Sequence, residues 1–327
     1  MSDSDYQGSQ AFASNAQGSE SVNRNTGSLS FTKTLVSLIG IKNTIGLQVN
    51  LRYSNGTSGA FGLPANWTFD IPFLVPHKSV TVDGRTYVID YNWSDSSGYV
   101  SGMRYVNNHG IKLTSQGSRQ PLPSKQPGYY EWTYRQADGM TLYFDGAGKL
   151  LEQDDLWGNY IYYSYTESDT PASKALLSFI QDSWGQIVKF GYQGSHQVII
   201  QAPDGGITQI QSDQTGIRVI KDPLGNVTSF VNVPFGSTYI IDTINYPTGL
   251  TARFSYQQMA YYNASGATQH FPGVKEHVHQ QGSSMLSRTT YTFGSESGNY
   301  TFTGYGANYH LGTASDTLID SNNQSYM

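Results

Sequence analysis

The chain has 327 residues, a formal net charge of −5 and only 13% charged residues, so no basic stripe is present to neutralise phosphates, which argues against a nucleic-acid binder. It has no cysteine, which excludes disulfides and thiolate metal sites, and no apolar run approaches the length of a membrane span. Aromatic content of 13%, with 25 Tyr and 35 Gly, is the composition of a strand-rich chain with many turns.

Met1–Asn25 is rich in Ser, Gln, Asn and Gly, and residues 1–27 read as a flexible polar leader. The first thirty residues lack a cationic start followed by an apolar core, so no classical signal peptide is expected. Leu29–Leu35 and Leu38–Ile41 lean towards strand. In Ile45–Tyr53, Leu47, Val49, Leu51 and Tyr53 face one way and Gln48, Asn50 and Arg52 the other, the pattern of a half-buried strand. Ser54–Gly59 reads as a loop and Trp67–Val75 as a further strand. Asp83-Gly84 is a hairpin turn signal, with Tyr87, Ile89 and Tyr91 on one face of the strand that follows. Gly117–Gly128 reads as a Pro/Ser/Gln-rich loop, and Asp138-Gly139 as another turn. Residues 28–145 thus form an N-terminal strand-rich region.

Residues 146–327 carry a repeat, continuous with that region. Its clearest copy is Gln153–Tyr165, in which the turn Asp155-Leu156-Trp157-Gly158-Asn159 precedes an alternating aromatic run. Aligned on the glycine, Ile180–Tyr192, Ile220–Asn232 and Ile244–Tyr256 keep its register. Three residues before the glycines Gly158, Gly185, Gly225 and Gly249 stand Asp155, Asp182, Asp222 and, as the exception, Tyr246. Five after stand Tyr163, Phe190, Phe230 and Phe254. Within each copy, positions three, five and seven after the glycine (Ile161, Tyr163 and Tyr165 in the first) share a strand face, because side chains alternate with period two. Glycine takes φ > 0 at little cost, and the Asp side chain can bond the backbone of its own turn. Each copy therefore reads as strand, turn, strand. The glycine spacings are 27, 40 and 24 residues. Asp204-Gly205 is a further hairpin signal, and Thr166–Ala175 a long loop. After Tyr256 the pattern loosens: Gln257–Phe271 reads as a connection, and Val274–Val278 and Ser287–Phe293 as strands. No amphipathic helix is found. The expected fold is all-β, with stacked antiparallel hairpins forming a strip and negligible helix.

These segments resemble the tyrosine–aspartate (YD) repeats of the rearrangement hot spot (RHS) family, which includes shell-forming components of bacterial toxin complexes. The Asp-x-x-Gly-Asn/Gln turns at Asp155, Asp182 and Asp222 are the specific part. Val22–Gly27, Leu47–Tyr53, Phe61-Gly62 with Trp67, and Asn299–Tyr305 are also similar to segments of such proteins. The resemblance implies a β-strip that spirals into a hollow shell around a polypeptide, often a toxin. The implied role is a non-enzymatic scaffold, the N-terminal part of such a shell. The implied partners are a polypeptide cargo or other toxin-complex subunits, with export by a route lacking a classical signal peptide. The family's self-cleavage core has no counterpart here. Asp222-Pro223-Leu224-Gly225 resembles its cleavage motif in letters but aligns with the ordinary turns.

No catalytic, cofactor-binding or metal-binding constellation stands out, and no cofactor is expected. Asp155, Asp182 and Asp222 read as turn-stabilising rather than calcium-ligating, because a dense oxygen-ligand loop is lacking. Glu152, Asp154 and Asp155 form an acidic cluster, but a glycosidase needs two carboxyls placed across a sugar. His277-Val278-His279 puts two imidazoles on one strand face, as a zinc site requires. Glu276 points the other way and His270 is distant, so surface strand is the favoured reading. Trp157 and Trp184, which precede turn glycines, read first as staples between hairpins. With Tyr160 and Tyr162 they are also the candidate aromatics for stacking on a cell-surface glycan or anchoring a partner protein.

Overall fold

A computed structural model describes residues 19–24, 26–38, 45–82, 85–88, 103–104, 112–136, 138–167, 170–172, 174–262, 268–292, 315–320 and 325–326. The Asp83-Gly84 turn, Ile89, Tyr91 and Asn299–Tyr305 lie outside the described residues, as do the ends of the segments expected at Leu38–Ile41 and Ser287–Phe293. Among the described residues every regular element is a strand, as the period-two patterning leads one to expect.

Strands β1 (Ser19–Val22), β2 (Leu29–Leu38), β3 (Leu47–Ser54) and β4 (Trp67–Phe69) make a four-stranded antiparallel sheet. Within β3, Leu47, Val49, Leu51 and Tyr53 are all buried, as its alternation requires. Strands β5 (Phe73–Val75), β6 (Ser79–Val82) and β7 (Arg85–Val88) make a second sheet of three. Trp67–Val75 is thus two short strands rather than one. The break falls at Asp70, whose Oδ2 accepts from Arg52 Nη2 at 2.6 Å, and at Pro72, which has no N–H to donate to a ladder.

The third sheet is a long antiparallel succession. It begins at β8 (Met103–Arg104), β9 (Lys112–Pro121), β10 (Tyr129–Arg135), β11 (Thr141–Phe144), β12 (Leu150–Asp154) and β13 (Tyr160–Tyr165). It continues through β14 (Leu177–Asp182), β15 (Ile187–Gln193), β16 (Gln197–Gln201), β17 (Ile207–Asp213), β18 (Gly216–Lys221), β19 (Val227–Phe235) and β20 (Thr238–Asn245). It ends with β21 (Leu250–Tyr262), β22 (Thr268–Gln281), β23 (Ser284–Thr292), β24 (Ser315–Asp320) and β25 (Ser325–Tyr326). Each strand from β8 onwards pairs with the next in sequence.

Three differences from the sequence reading have physical causes. Strand β1 lies in the stretch expected to be a flexible leader: pairing Glu20 with Phe31 and Val22 with Leu29 supplies what its polar side chains cannot. Residues 117–121, read as loop, belong to β9, which pairs with β10 across a bulge between Tyr130 and Trp132; an exposed strand tolerates polar residues, and Gly117 takes φ 67° there. Gln257–Phe271 is not a connection but the paired ends of β21 and β22, from Met259 with Phe271 to Tyr262 with Thr268.

The four-stranded sheet covers one face of the long sheet, and both contribute to one core. The repeat aromatics meet it directly. Phe230 lies edge-on to Phe31 (5.3 Å between centroids) and Trp67 (5.1 Å), and Phe190 to Phe69 (5.5 Å). Polar contacts fix the docking: Ile241 N–H donates to Tyr53 Oη at 3.2 Å, and Asn66 Nδ2 to the Tyr239 carbonyl at 2.9 Å. The strand face expected from the repeat is therefore the core face, and the N-terminal region fills it.

Candidate functional site

The repeat turns share one geometry. In the turns that start at Asp155, Asp182 and Asp222, the first N–H donates to the carbonyl four residues on, at 3.0–3.1 Å. The glycine N–H donates back to the Asp carbonyl at 3.0–3.5 Å. Gly158, Gly185 and Gly225 have φ of 82°, 82° and 86°, the left-handed conformation of a turn closed by a glycine bulge. The Asp Oδ1 accepts two backbone N–H groups in each, from Trp157 and Asn159, from Trp184 and Gln186, and from Leu224 and Asn226. Each carboxylate is thus engaged by its own turn. Burial works against the charge of Asp155 and Asp222, but hydrogen bonds from Asn159 and Asn226 and from the backbone outweigh it and hold both carboxyls below their ordinary range.

The same backbone pattern closes the turns at Gln136–Met140, Ala202–Gly206 and Tyr246–Leu250, whose glycines are Gly139, Gly205 and Gly249. Gly205 divides the 40-residue gap between Gly185 and Gly225 into two of 20. In an antiparallel succession, these six turns fall on one edge of the sheet. A seventh copy, Asp145-Gly146-Ala147-Gly148-Lys149, was not recognised in the sequence and falls on the opposite edge.

On the six-turn edge Trp157 is 77% and Trp184 61% exposed, with Leu156 and Leu224 beside them. They do not staple hairpins together; position three of each turn points its side chain to solvent. Tyr160 is half-buried and its hydroxyl accepts from Gln126 Nε2 at 3.2 Å. Tyr162 is buried and donates to the Pro127 carbonyl at 2.8 Å, so it is a packing residue and not a ligand-facing one.

Glu152 and Asp154 share a face of β12. Glu152 is fully buried and accepts from Ser124 N at 3.1 Å and from Ser124 Oγ. Burial, then the neighbouring Glu152 carboxyl, pushes Asp154 up to about 8.

A second cluster joins opposite ends of the chain. Glu20 on β1 reaches His277 and His279 on β22, whose alternate positions put both rings on one face. Glu20 Oε1 lies 2.7 Å from His279 Nε2 and 3.7 Å from His277 Nε2, and its side chain is 8% exposed. The Tyr246 hydroxyl donates to Glu20 Oε2. His279 Nδ1 lies 3.1 Å from Ser287 Oγ. The His277 ring stacks on Phe254, with centroids 4.6 Å apart and planes at 21°. The sequence supplied the two imidazoles and the face; it did not supply the carboxylate, which comes from a strand 259 residues away. His277-Val278-His279 is therefore not a solvent-facing surface segment but the floor of a three-residue cluster, while His270 is exposed and Glu276 pairs with Arg288.

No protein-family model and no curated protein matches the chain. Among solved structures it is similar to TcdB2–TccC3, at 10% identity over 85% of this chain and 17% of that one, with a TM-score of 0.35. It is also similar to the Photorhabdus luminescens Tc holotoxin pore, at 10% identity over 85% and 16%, TM-score 0.38. A third is TcdB2–TccC3–Cdc42, at 10% identity over 84% and 19%, TM-score 0.36. The chain spans less than a fifth of the length of each of these structures.

Proposed function

We propose that the chain is a non-enzymatic structural scaffold, the N-terminal part of an RHS-type shell that encloses or presents a polypeptide such as a toxin. The observation that carries this reading is the unbroken antiparallel succession from β8 to β25, punctuated on one edge by a single repeated turn. A sheet built by adding like hairpins has no intrinsic end, and a strip of that kind suits a wall better than an active site. The carboxylates of the repeat are engaged by their own turns, which supports the non-enzymatic part of the reading. Phe190, Phe230 and their neighbours are already covered by β2–β4. In this reading the described strip is the sealed base of the wall, and cargo meets strands added beyond it. The protein acts outside the cell after export without a classical signal peptide.

The test is co-expression with the polypeptide encoded immediately downstream, followed by limited proteolysis. Protection of that polypeptide is the expected result. A partner that stays fully protease-sensitive, neither bound nor enclosed, sinks the shell role.

A second reading is favoured by one observation, the exposure of Trp157 and Trp184 on the same edge. They would stack on a cell-surface glycan or anchor a partner protein. A glycan array with Trp157→Ala and Trp184→Ala decides it: no binding, or binding indifferent to both changes, removes the reading.

A further inference from the structure

We propose that Glu20, His277 and His279 bind a divalent transition-metal ion, zinc before others, and that the ion fastens β1 to β22. One ligand atom from each of the three residues lies within 4.8 Å of the others. Tetrahedral zinc with bonds of about 2.0–2.1 Å holds neighbouring ligand atoms about 3.3 Å apart. The observed Glu20–His279 and Glu20–His277 separations, 2.7 and 3.7 Å, bracket that figure.

Three independent features point to a ligand between these groups. His277 Nε2 is buried and has no hydrogen-bond partner, because 3.7 Å to Glu20 is too long for one. An orphaned ring nitrogen inside a cluster is costly, and a metal ion uses its lone pair. The surroundings are those of an outer ligand shell. Ser287 Oγ lies 3.1 Å from His279 Nδ1, an outer partner that leaves Nε2 as the ring atom facing Glu20. The Tyr246 hydroxyl holds Oε2 of Glu20 and leaves Oε1 for the ion.

Two imidazoles and one carboxylate are a zinc set; calcium takes six to eight oxygens, and magnesium keeps to oxygen ligands and its waters. The fourth position is left to water. Such an ion cross-links residues 259 apart, and its binding energy becomes folding energy for a strand with little apolar surface of its own.

The test uses the full chain, stripped with a chelator and titrated with cobalt(II). We expect the visible bands of a tetrahedral cobalt site to saturate at one equivalent and to vanish on adding zinc. Zinc should also raise the melting temperature of the stripped protein. His279→Ala and His277→Ala should abolish the bands. Should either fail to fold, Glu20→Gln, which keeps the Tyr246 contact, and Ser287→Ala, expected to weaken affinity at least about tenfold, give the same reading. His270→Ala, at an exposed histidine on the same strand, should change nothing. Absence of cobalt bands in the wild type, or bands that persist undiminished in Glu20→Gln and His277→Ala, overturns the site. The scaffold reading survives either outcome, since it rests on the strip.

Discussion

The turn at Asp145–Lys149 and the turns at Asp155, Asp182 and Asp222 have the same backbone, the same left-handed glycine and the same doubly engaged Asp Oδ1, yet they live in opposite environments. On the six-turn edge an added Cβ at Gly158, Gly185, Gly205 or Gly249 has nothing within 4 Å, and at Gly139 it meets only the Leu156 side chain, at 2.8 Å. At Gly148 it would stand 1.8 Å from the Leu74 carbonyl oxygen. That glycine's own carbonyl accepts from Leu74 N at 2.9 Å, joining the three-stranded sheet to the strip. The repeated turn is thus a neutral module. One edge displays it, and the other uses it as a socket.

The largest effect should come from breaking that socket. Gly148→Ala combines φ of 88° with a collision against backbone. Gly185→Ala carries only the left-handed strain, about 1–2 kcal/mol. Urea unfolding should rank Gly148→Ala well above Gly185→Ala; equal losses would dissolve the distinction between the edges.

The charges divide in the same way. Lys149 is 3% exposed, its Nζ lies 3.1 Å from Asp145 Oδ2, and it donates to the Glu167 and Thr170 carbonyls at 3.3 Å. Lys149→Met leaves the Asp145 carboxylate in low dielectric without its cation, a loss of about 3–5 kcal/mol. On the displayed edge, Asp155→Ala removes hydrogen bonds that water can largely replace, and about 1 kcal/mol is expected. A double-mutant cycle of Lys149→Met with Asp145→Asn should recover part of the first loss.

Much of this was legible in sequence, and the limits have physical causes. The Asp-x-x-Gly spacing and the period-two aromatics gave the strip, its turns and its core face, because those depend on local backbone and strand geometry. The Asp145 copy has the spacing, but Gln153 and Asp155 stand where the other copies carry aromatics, so register alignment passed over it. Ser19–Val22 carries one large apolar residue, and its strand exists only through pairing with β2. The Glu20–His277–His279 cluster depends on that pairing and on the β1–β4 sheet docking against β19–β22. Such contacts between distant segments leave no trace in a single sequence.

Titration gives a smaller, signed contrast. Burial raises Asp145 despite Lys149 and its backbone donors, whereas hydrogen bonds lower Asp155. A raised carboxyl binds more protons in the folded state, so Asp145 takes stability away as pH rises through the carboxylate range. A lowered one does the reverse, so the stability from Asp155 is present above its unfolded value and lost as pH falls. An NMR titration of the carboxyl carbons should place the Asp145 midpoint above that of Asp155. The opposite order would mean that the Asp145 turn is as wet as the displayed ones.

The smallest effect is expected where the exposed edge is most conspicuous. Trp157→Ser and Trp184→Ser remove large side chains that are mostly in water, and surface changes of this kind usually stay within about 0.5 kcal/mol. Their unfolding midpoints should match the wild type. A loss of more than 1 kcal/mol would return the tryptophans to the role of staples. Unchanged stability leaves them as residues the fold does not need, and then any loss of binding to a glycan or partner reads directly as contact at that edge.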